Sequence, residues 1–306
     1  MKPTVWMEEE ITKDYERAKC LVIILKTKGC GYRKCLMCSY YLDSLNEVND
    51  KDIINQFEYA IKKYKDFDMV KIFTSGSFLD DREVSQKVRE HILNKLKDKE
   101  VHIESRVEFI NESKLEEIKD YNLVIGLGIE SFNPKIREVI NKGISNEEIE
   151  RAIKLINDYG LTPKAYLLIK PPFITEEEAI KDAIYSGNKA IDLGAMVSFC
   201  PLTVHKNTLL EYFYKKGEYE PPFLWSVVEV LKNVKKGLVR CDTSGFGTLR
   251  GASNRCQCDK KIIEAIKKFN LTQDKSYLEV DCKCKDFWKI FLETEKKNIV
   301  PISREL

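Results

Sequence analysis

Three cysteines lie close together in the stretch KGCGYRKCLMCSY at residues 28–40. Cys30, Cys35 and Cys38 have the spacing C-x4-C-x2-C, and the next cysteine is Cys200. Such thiolates can hold a metal, but a zinc site and an iron–sulfur cluster normally take four protein ligands. Zinc would need a histidine brought in by folding, and a plant-type ferredoxin site would need a later cysteine. The third interpretation is a [4Fe–4S] cluster on three cysteines, with one iron left for a ligand that is not protein.

The segments around this loop alternate between strand and helix. Apolar runs, each followed by a helical pattern, predict six buried parallel strands at 21–27, 69–75, 101–106, 123–131, 164–170 and 196–202. Six units are two short of a closed eightfold barrel, so the sequence predicts an α/β fold with a partial (βα)6 TIM-like barrel. We expect the barrel in residues 1–240 and a small cysteine-rich, metal-binding region in 241–306. Functional residues should follow the strands, at the C-terminal mouth.

The cysteine loop resembles that of the radical S-adenosylmethionine (SAM) superfamily. The commonest spacing there is C-x3-C-x2-C, so this loop has one extra residue, and Met37 stands where an aromatic residue often precedes the last cysteine. The resemblance implies a [4Fe–4S] cluster on Cys30, Cys35 and Cys38, with the amino and carboxylate groups of SAM on the fourth iron. Cysteines packed as small hydrophobic residues are the structural alternative.

The ends of the second and third strands carry residues that the resemblance places around SAM. Ser75, Gly76 and Ser77 partly match a Gly-Gly-Glu stretch whose backbone carbonyls receive the SAM amino group. Glu104 and Arg106 point the same way on a strand, and they would bind the ribose hydroxyls and the carboxylate. A plain strand-to-helix turn and a surface salt bridge are the alternatives.

The stretch GLGIESFNPKIREVINKG (126–143) resembles a fourth-strand motif of the elongator catalytic subunit, coproporphyrinogen dehydrogenase and the methylthiotransferases. This resemblance implies that Glu130 and Ser131 face the ribose and that Lys142 pairs with the SAM carboxylate. The alternatives are a buried acid satisfied by its neighbours and a solvated cation at a helix end.

Two further segments, 164–180 and 201–231, look like those of the radical SAM family of archaeosine biosynthesis. KAYLLIKPPFITEEEAI and the element EPPFLWSV carry this likeness. It implies a tRNA substrate, a partner archaeosine synthase that transfers lysine, and cleavage of the lysine C–N bond of a lysine-adducted 7-deazaguanine in the D-loop. Tyr166, Lys170 and His205 are candidate substrate contacts, although a lone histidine is more often structural.

Two other functions remain open from the sequence. One is a different radical SAM reaction on RNA, such as methylthio or acyl transfer. The other is a non-catalytic iron–sulfur or zinc scaffold that binds RNA.

The C-terminal part carries two C-x-C pairs, Cys256 with Cys258 and Cys282 with Cys284. Four thiolates in two tight pairs predict a structural zinc site, which would stabilise a region poor in core residues. A second iron–sulfur cluster uses the same ligands, and four free thiols are the third alternative. Cys241 could replace one of the four.

The charge balance places few limits on partners. Lys and Arg number 51 against 49 Asp and Glu, so any RNA-binding surface would have to be local. The glycine loop GFGTLRG at 245–251, flanked by Arg240 and Arg255, is one candidate for contact with phosphates. The sequence lacks an apolar run long enough for a transmembrane helix and lacks a secretory signal, so we expect a cytoplasmic protein.

Overall fold

The computed structural model describes residues 2–295, and these contain one eight-stranded sheet whose strand order follows the chain. β1 is antiparallel to β2, and β2 to β8 are parallel. The six predicted strands are β2 to β7, so the α/β partial barrel is confirmed. The strands are β1 (Thr4–Ile11), β2 (Arg17–Ile24), β3 (Met69–Phe73), β4 (Glu100–Ser105), β5 (Leu123–Glu130), β6 (Thr162–Ile169), β7 (Met196–Pro201) and β8 (Val239–Cys241).

Helices connect the parallel strands and cover the outside of the sheet. Several begin where the sequence supplies a capping box, as at Asn49, Ser145 and Thr175, whose side chains accept a backbone N–H three residues on. The helices are α1 (Asp50–Lys63), α2 (Gln86–Lys95), α3 (Glu112–Ile118), α4 (Pro134–Val139), α5 (Asn146–Asp158), α6 (Glu176–Asp192), α7 (Leu209–Lys215), α8 (Leu224–Asn233), α9 (Asp259–Thr272) and α10 (Cys284–Glu295).

The two faces of the sheet differ in polarity. Alternate strand residues such as Ile72, Ile103 and Ile125 join one apolar core with residues of the surrounding helices. The positions between them point into the barrel, and they include buried ionisable side chains such as Lys71 and His102. Since an unpaired buried charge costs several kcal/mol, the interior has to be a connected polar network.

The first strand was not predicted, because its sequence TVWMEEEI carries three glutamates. Two of them form ion pairs inside the barrel. Glu8 pairs with Lys71 of β3 at 2.8 Å, and Glu10 pairs with both Lys71 and Arg240 of β8. The Glu10–Arg240 pair links the two edge strands, and α9 packs against both edges. Arg240 is therefore held in the barrel interior, and the expectation that it flanks a phosphate-binding loop is wrong.

The C-terminal region continues directly from the barrel. β8 covers the predicted boundary between residues 240 and 241, and Trp288 and Phe291 of α10 belong to the same core as the strands. The division at residue 240 stays a prediction, and residues 296–306 of the predicted region lie outside the described part. Across residues 2–295, the helices are too short or too polar to span a membrane.

Candidate functional site

The three clustered cysteines lie on the loop that follows β2, and their side chains are half-buried. Backbone hydrogen bonds fix this loop on two sides. Cys30 N–H donates to the carbonyl oxygen of Ser75 at 3.1 Å, and Leu36 N–H donates to that of Ile140 at 3.0 Å. The loop is thus anchored to the segments after β3 and β5, and it presents three thiols at the carboxyl end of the sheet.

Gly76 lets the segment after β3 approach the cysteine loop. A Cβ atom at this position would lie 2.6 Å from the backbone nitrogen of Cys30 and 2.1 Å from a carboxylate oxygen of Glu83. The preceding residue, Ser75, has a left-handed backbone with φ +62°, which turns its carbonyl towards Cys30. Glu83 accepts the N–H of Ser77, and burial raises the pKa of Glu83 to about 7. The predicted contact of this backbone with SAM stays a prediction, and its contact with the cysteine loop is direct.

Gly76→Ala is expected to displace the cysteine loop. The added methyl group cannot fit without moving the backbone at Cys30, and overpacking of this kind costs about 1–3 kcal/mol. Reconstituted protein should therefore hold less iron per chain and unfold at a lower temperature. Gly31→Ala, within the cysteine loop, is the matched control. Its Cβ would meet the flexible end of the Arg82 side chain at 3.1 Å, which can move aside without displacing backbone. Equal iron content in both variants would contradict the close contact.

Arg106 follows β4 and lies beside the cysteine loop. Its guanidinium stacks on the ring of Tyr32, with 4.2 Å from Cζ to the ring centroid, and donates to the carbonyl oxygen of Lys142 at 3.1 Å. The backbone N–H of Arg106 donates to the hydroxyl of Ser77 at 3.0 Å. A cavity of about 300 Å³ opens here, lined by Cys30 and Arg106 among others. The structure thus brings the predicted residues of two strand ends next to the first cysteine.

Glu130 and Lys142 form a nearly buried ion pair at the end of β5. Lys142 Nζ lies 2.8 Å from the carboxylate of Glu130, whose backbone is left-handed with φ +69°. Gly128 makes room for this lysine, because a Cβ there would lie 2.9 Å from Nζ. Burial by itself lowers the pKa of Lys142, but the charges of Glu130 and Cys35 outweigh it and the pKa is raised. This cation stays charged next to the second cluster cysteine.

The four C-terminal cysteines come together at the first turns of α9 and α10. The sulfur of Cys256 is 3.8 Å from that of Cys282, the sulfur of Cys258 is 3.3 Å from that of Cys284, and all four lie within 4.8 Å of one another. Tetrahedral zinc with Zn–S bonds of about 2.3 Å needs sulfur separations of about 3.8 Å. Four irons between the thiolates would force them farther apart. The spacing therefore suits one tetrahedral ion.

Side chains around these sulfurs hold them in place. Trp225 Nε1 donates to the sulfur of Cys284 at 3.2 Å. Cys241 lies outside the group, as the last residue of β8, and its buried thiol donates to the carbonyl oxygen of Asp242. Within residues 2–295 the alternative set that includes Cys241 is not assembled.

Comparison with known proteins decides the family. The family model of the radical SAM superfamily matches residues 24–183, which is more than half of the chain and includes the cysteine loop. The chain belongs to the radical SAM superfamily. A solved archaeal Elp3 from Methanocaldococcus infernus shares the fold, with a TM-score of 0.53 and 18% identity over 72% of this chain and 59% of the Elp3 chain.

Curated relatives match this radical SAM protein over most of its length. An uncharacterized protein of Methanocaldococcus jannaschii is 55% identical over 98% of this chain and 89% of its own length. Archaeosine synthase subunit beta of Methanosarcina acetivorans is 35% identical over 91% of this chain and 86% of its own. The subunit of the same name from Thermococcus kodakarensis is 34% identical over 95% and 96%.

Membership of the superfamily implies a [4Fe–4S] cluster and SAM, and the residues at the mouth fit both. Three half-buried thiols stand on one anchored loop, where a cluster can retain an open iron. The adjacent cavity of about 300 Å³ offers Arg106, whose planar guanidinium suits a carboxylate. The radical SAM assignment therefore agrees with the geometry as well as with the cysteine spacing.

Glu104 and Tyr166 lie inside the barrel below this mouth. The Tyr166 hydroxyl lies close to the Glu104 carboxylate, and the ring of Tyr166 fills the space beside Gly126, where a Cβ would lie 2.4 Å from Cε2. Burial raises the pKa of Glu104 to about 7, although the Tyr166 hydroxyl and the charge of Lys164 both lower it. The pair can donate and accept hydrogen bonds, which a ribose requires.

A chain of polar contacts lies deeper in the barrel, towards its opposite end. Lys164 Nζ donates to His102 Nδ1 at 2.8 Å, and His102 Nε2 donates to Glu100 at 2.7 Å. Burial lowers the pKa of Lys164 to about 7 and holds that of His102 well below its usual value. Glu100, His102 and Glu104 alternate on β4, and Lys164 reaches His102 from β6.

Two candidate substrate contacts occupy different places. His205 lies after β7, half-buried, with its ring edge-on to Tyr40 at 5.1 Å, and burial lowers its pKa. Lys170 directly follows β6 with a left-handed backbone, but its Nζ is buried in an ion pair with Glu176 at 2.6 Å. His205 remains a candidate at the mouth, whereas Lys170 is committed to holding α6.

Ser131 is not brought to the mouth. It is fully buried, and its hydroxyl donates to Asp182 of α6 at 2.9 Å. The side chain therefore faces the helix layer and not the ribose side predicted for it. Its neighbour Glu130 does face the cysteine loop. A bulge where β5 pairs with β6 between Gly128 and Glu130 breaks the alternation at this point.

Asp182→Asn is expected to change how stability depends on pH. Burial raises the pKa of Asp182 from 3.8 to about 6, so the folded chain binds a proton that the unfolded chain releases. The stabilisation by protonated Asp182 is complete below about pH 4 and is lost as pH rises through about 6. This loss lowers the free energy of unfolding by about 3 kcal/mol. The asparagine variant should lack this loss. Thermal midpoints at pH 4 to 8 test this, with Asp158→Asn as the exposed control, and parallel curves for the variant and wild type would refute it.

Sequence reasoning missed Tyr32, Tyr40 and Glu83. The ring of Tyr32 stacks against the Arg106 guanidinium, the ring of Tyr40 lies edge-on to that of His205, and the carboxylate of Glu83 lies next to Gly76. The two tyrosines lie in or next to the cysteine loop, and that position was the available signal. Glu83 offered none, since only the folded chain places it against Gly76.

Proposed function

We propose that this chain is the radical-generating subunit of archaeosine formation in tRNA. The observation that supports the proposal is the likeness to two archaeosine synthase beta subunits over most of the chain, at 35% and 34% identity. Both matches cover more of the chain, 91% and 95%, than residues 24–183 that the family model covers. The proposal includes the lysine-transferring archaeosine synthase as partner and tRNA as substrate carrier.

In this proposal the mouth binds the cluster and SAM. A [4Fe–4S] cluster with SAM would supply the radical chemistry that cleaves the lysine C–N bond of the adduct, with the nitrogen left on the base. Cys30, Cys35 and Cys38 hold the cluster. The loop bonds from Ser75 and Ile140 keep the three thiols in place.

The remaining mouth residues orient SAM. Arg106 is held by Tyr32 and by the Lys142 carbonyl, so its guanidinium is in place to receive the SAM carboxylate. Lys142 adds a second positive charge nearby, balanced by Glu130. Glu104 and Tyr166 offer a carboxylate and a hydroxyl to the ribose. The charge of Lys164, which is hydrogen-bonded to His102, acts on Glu104 from inside the barrel.

We further propose that Cys256, Cys258, Cys282 and Cys284 hold structural zinc. The sulfur separations of 3.3 and 3.8 Å support one tetrahedral ion in preference to a second cluster. A zinc ion would join the first turns of α9 and α10, and the bond from Trp225 to Cys284 ties that site to α8.

A product assay tests the function. The anaerobically reconstituted chain is incubated with the partner subunit, tRNA carrying the lysine adduct, SAM and dithionite, and digested tRNA is examined by mass spectrometry. We expect the archaeosine nucleoside, with none from the Cys35→Ala variant. Formation of 5′-deoxyadenosine without archaeosine, with an active partner present, would overturn the proposal and point to another radical SAM reaction on RNA. Absence of 5′-deoxyadenosine would instead favour the non-catalytic scaffold.

A further inference from the structure

Three loops at the mouth form one continuous surface. After β6 the ring of Phe173 packs edge-on against Phe213 of α7, with centroids 4.9 Å apart. After β8 the carbonyl oxygen of Leu249 accepts the Tyr214 hydroxyl at 3.0 Å. α7 therefore contacts both the loop after β6 and the loop after β8. Since these strands are parallel, the surface lies at the same edge of the sheet as the cysteine loop.

This surface exposes large apolar side chains. Phe173, Tyr212 and Leu249 are 52, 54 and 71% exposed, and the backbone of Phe173 is left-handed with φ +68°. An exposed aromatic residue in a strained backbone conformation, beside two other exposed apolar side chains, marks a contact surface.

Cations are interleaved with these side chains. Lys206 and Lys216 are exposed, and Lys216 Nζ lies 5.7 Å from the ring centroid of Tyr212. Within residues 2–295 neither lysine forms an ion pair. The acid of α7, Glu211, is neutralised by Arg250 and by Lys215 at 3.3 Å. We call Phe173, Tyr212, Leu249, Lys206 and Lys216 the aromatic–lysine rim.

We propose that the aromatic–lysine rim binds unstacked nucleotides of the tRNA next to the base that enters the barrel. This inference rests on the proposed function. A base reaches an enclosed site only if it leaves its stack, and aromatic side chains beside the site can hold its neighbours by stacking while lysines meet the phosphates. A protein partner is the weaker fit, because lysine is depleted at protein interfaces.

The test compares two matched double variants. Tyr212→Ala with Lys216→Ala removes a rim tyrosine and lysine four residues apart. Tyr185→Ala with Lys181→Ala removes an exposed tyrosine and lysine at the same spacing on the outer face of α6. Binding of an unmodified tRNA transcript to the reconstituted full chain is measured by fluorescence anisotropy between 50 and 200 mM salt. SAM cleavage without tRNA is measured in parallel.

We expect the rim variant to bind about tenfold more weakly and to lose about one unit of salt slope, with SAM cleavage unchanged. Tyr212→Phe should keep wild-type affinity because it retains the ring. The inference would be overturned if the two double variants bound tRNA with equal affinity, whether or not that affinity is below that of the wild type. Absence of tRNA binding by the wild type would overturn it as well. So would loss of co-elution with the partner subunit while tRNA binding is kept.

The same variants separate this inference from the proposed function. If the rim variant binds tRNA weakly but the wild type makes no archaeosine, the rim stands and the proposed function fails. If the wild type and the rim variant make archaeosine equally well at limiting tRNA, the function stands and the rim fails.

Discussion

Cys35→Ala is expected to abolish the reductive cleavage of SAM. Cys35 is one of three half-buried thiols on the anchored loop after β2, and a cluster held by two cysteines would lose iron and the geometry that SAM requires. The yield of 5′-deoxyadenosine with dithionite should fall by at least about 10³-fold, the scale of losing an essential group. Iron and sulfide per chain should fall with it.

Cys20→Ala is the matched control for this result. Cys20 lies in β2 itself and is fully buried away from the cysteine loop, so its replacement removes a thiol and costs only packing. This variant should keep its iron and its SAM cleavage. Wild-type turnover by the Cys35→Ala protein would show that the cysteine loop does not hold the catalytic cluster.

Cys282→Ser is expected to remove the metal of the C-terminal region and to destabilise it. The sulfur of Cys282 lies 3.8 Å from that of Cys256, and loss of one of four thiolates leaves an incomplete tetrahedral site. Because zinc binding is coupled to folding, zinc should fall from about one per chain to near zero. The thermal midpoint should fall by about 10 °C, which corresponds to a few kcal/mol in a chain of this size.

Cys241→Ala distinguishes the ligand set. This residue is buried in β8 outside the group of four sulfurs, so its variant should keep full zinc. Zinc lost from Cys241→Ala but kept in Cys282→Ser would make Cys241 a ligand. Iron and sulfide at the C-terminal cysteines would replace the zinc assignment by a second cluster.

Much of the fold could be predicted because its parallel strands are buried on both sides. Runs such as those at 123–131 and 196–202 are apolar over nearly their whole length, and each appears as a strand within a few residues of its predicted bounds. β1 escaped prediction because Glu8 and Glu10 look like surface residues. Their partners, Lys71 and Arg240, are far away in the chain.

The candidate site could likewise be predicted only in part. The cysteine spacing pointed to a cluster, the end of β4 pointed to Arg106, and the resemblance of residues 126–143 pointed to Lys142. Both residues lie at the mouth. Ser131 and Lys170 also follow strands, yet Ser131 turns to Asp182 and Lys170 to Glu176. A strand end tells which residues reach the mouth region, but a bulge or a left-handed backbone decides where each side chain points.

The sequence by itself determined the order of β2 to β7 and of the helices between them, the three-cysteine loop and the likeness to radical SAM proteins, because these depend on local pattern and spacing. Only the tertiary structure decided that Cys256, Cys258, Cys282 and Cys284 converge, that Gly76 touches the cysteine loop, and that lysine and histidine pair inside the barrel. Each of these joins residues distant in the chain. Such contacts depend on how helices and strands pack, and no local periodicity records that packing.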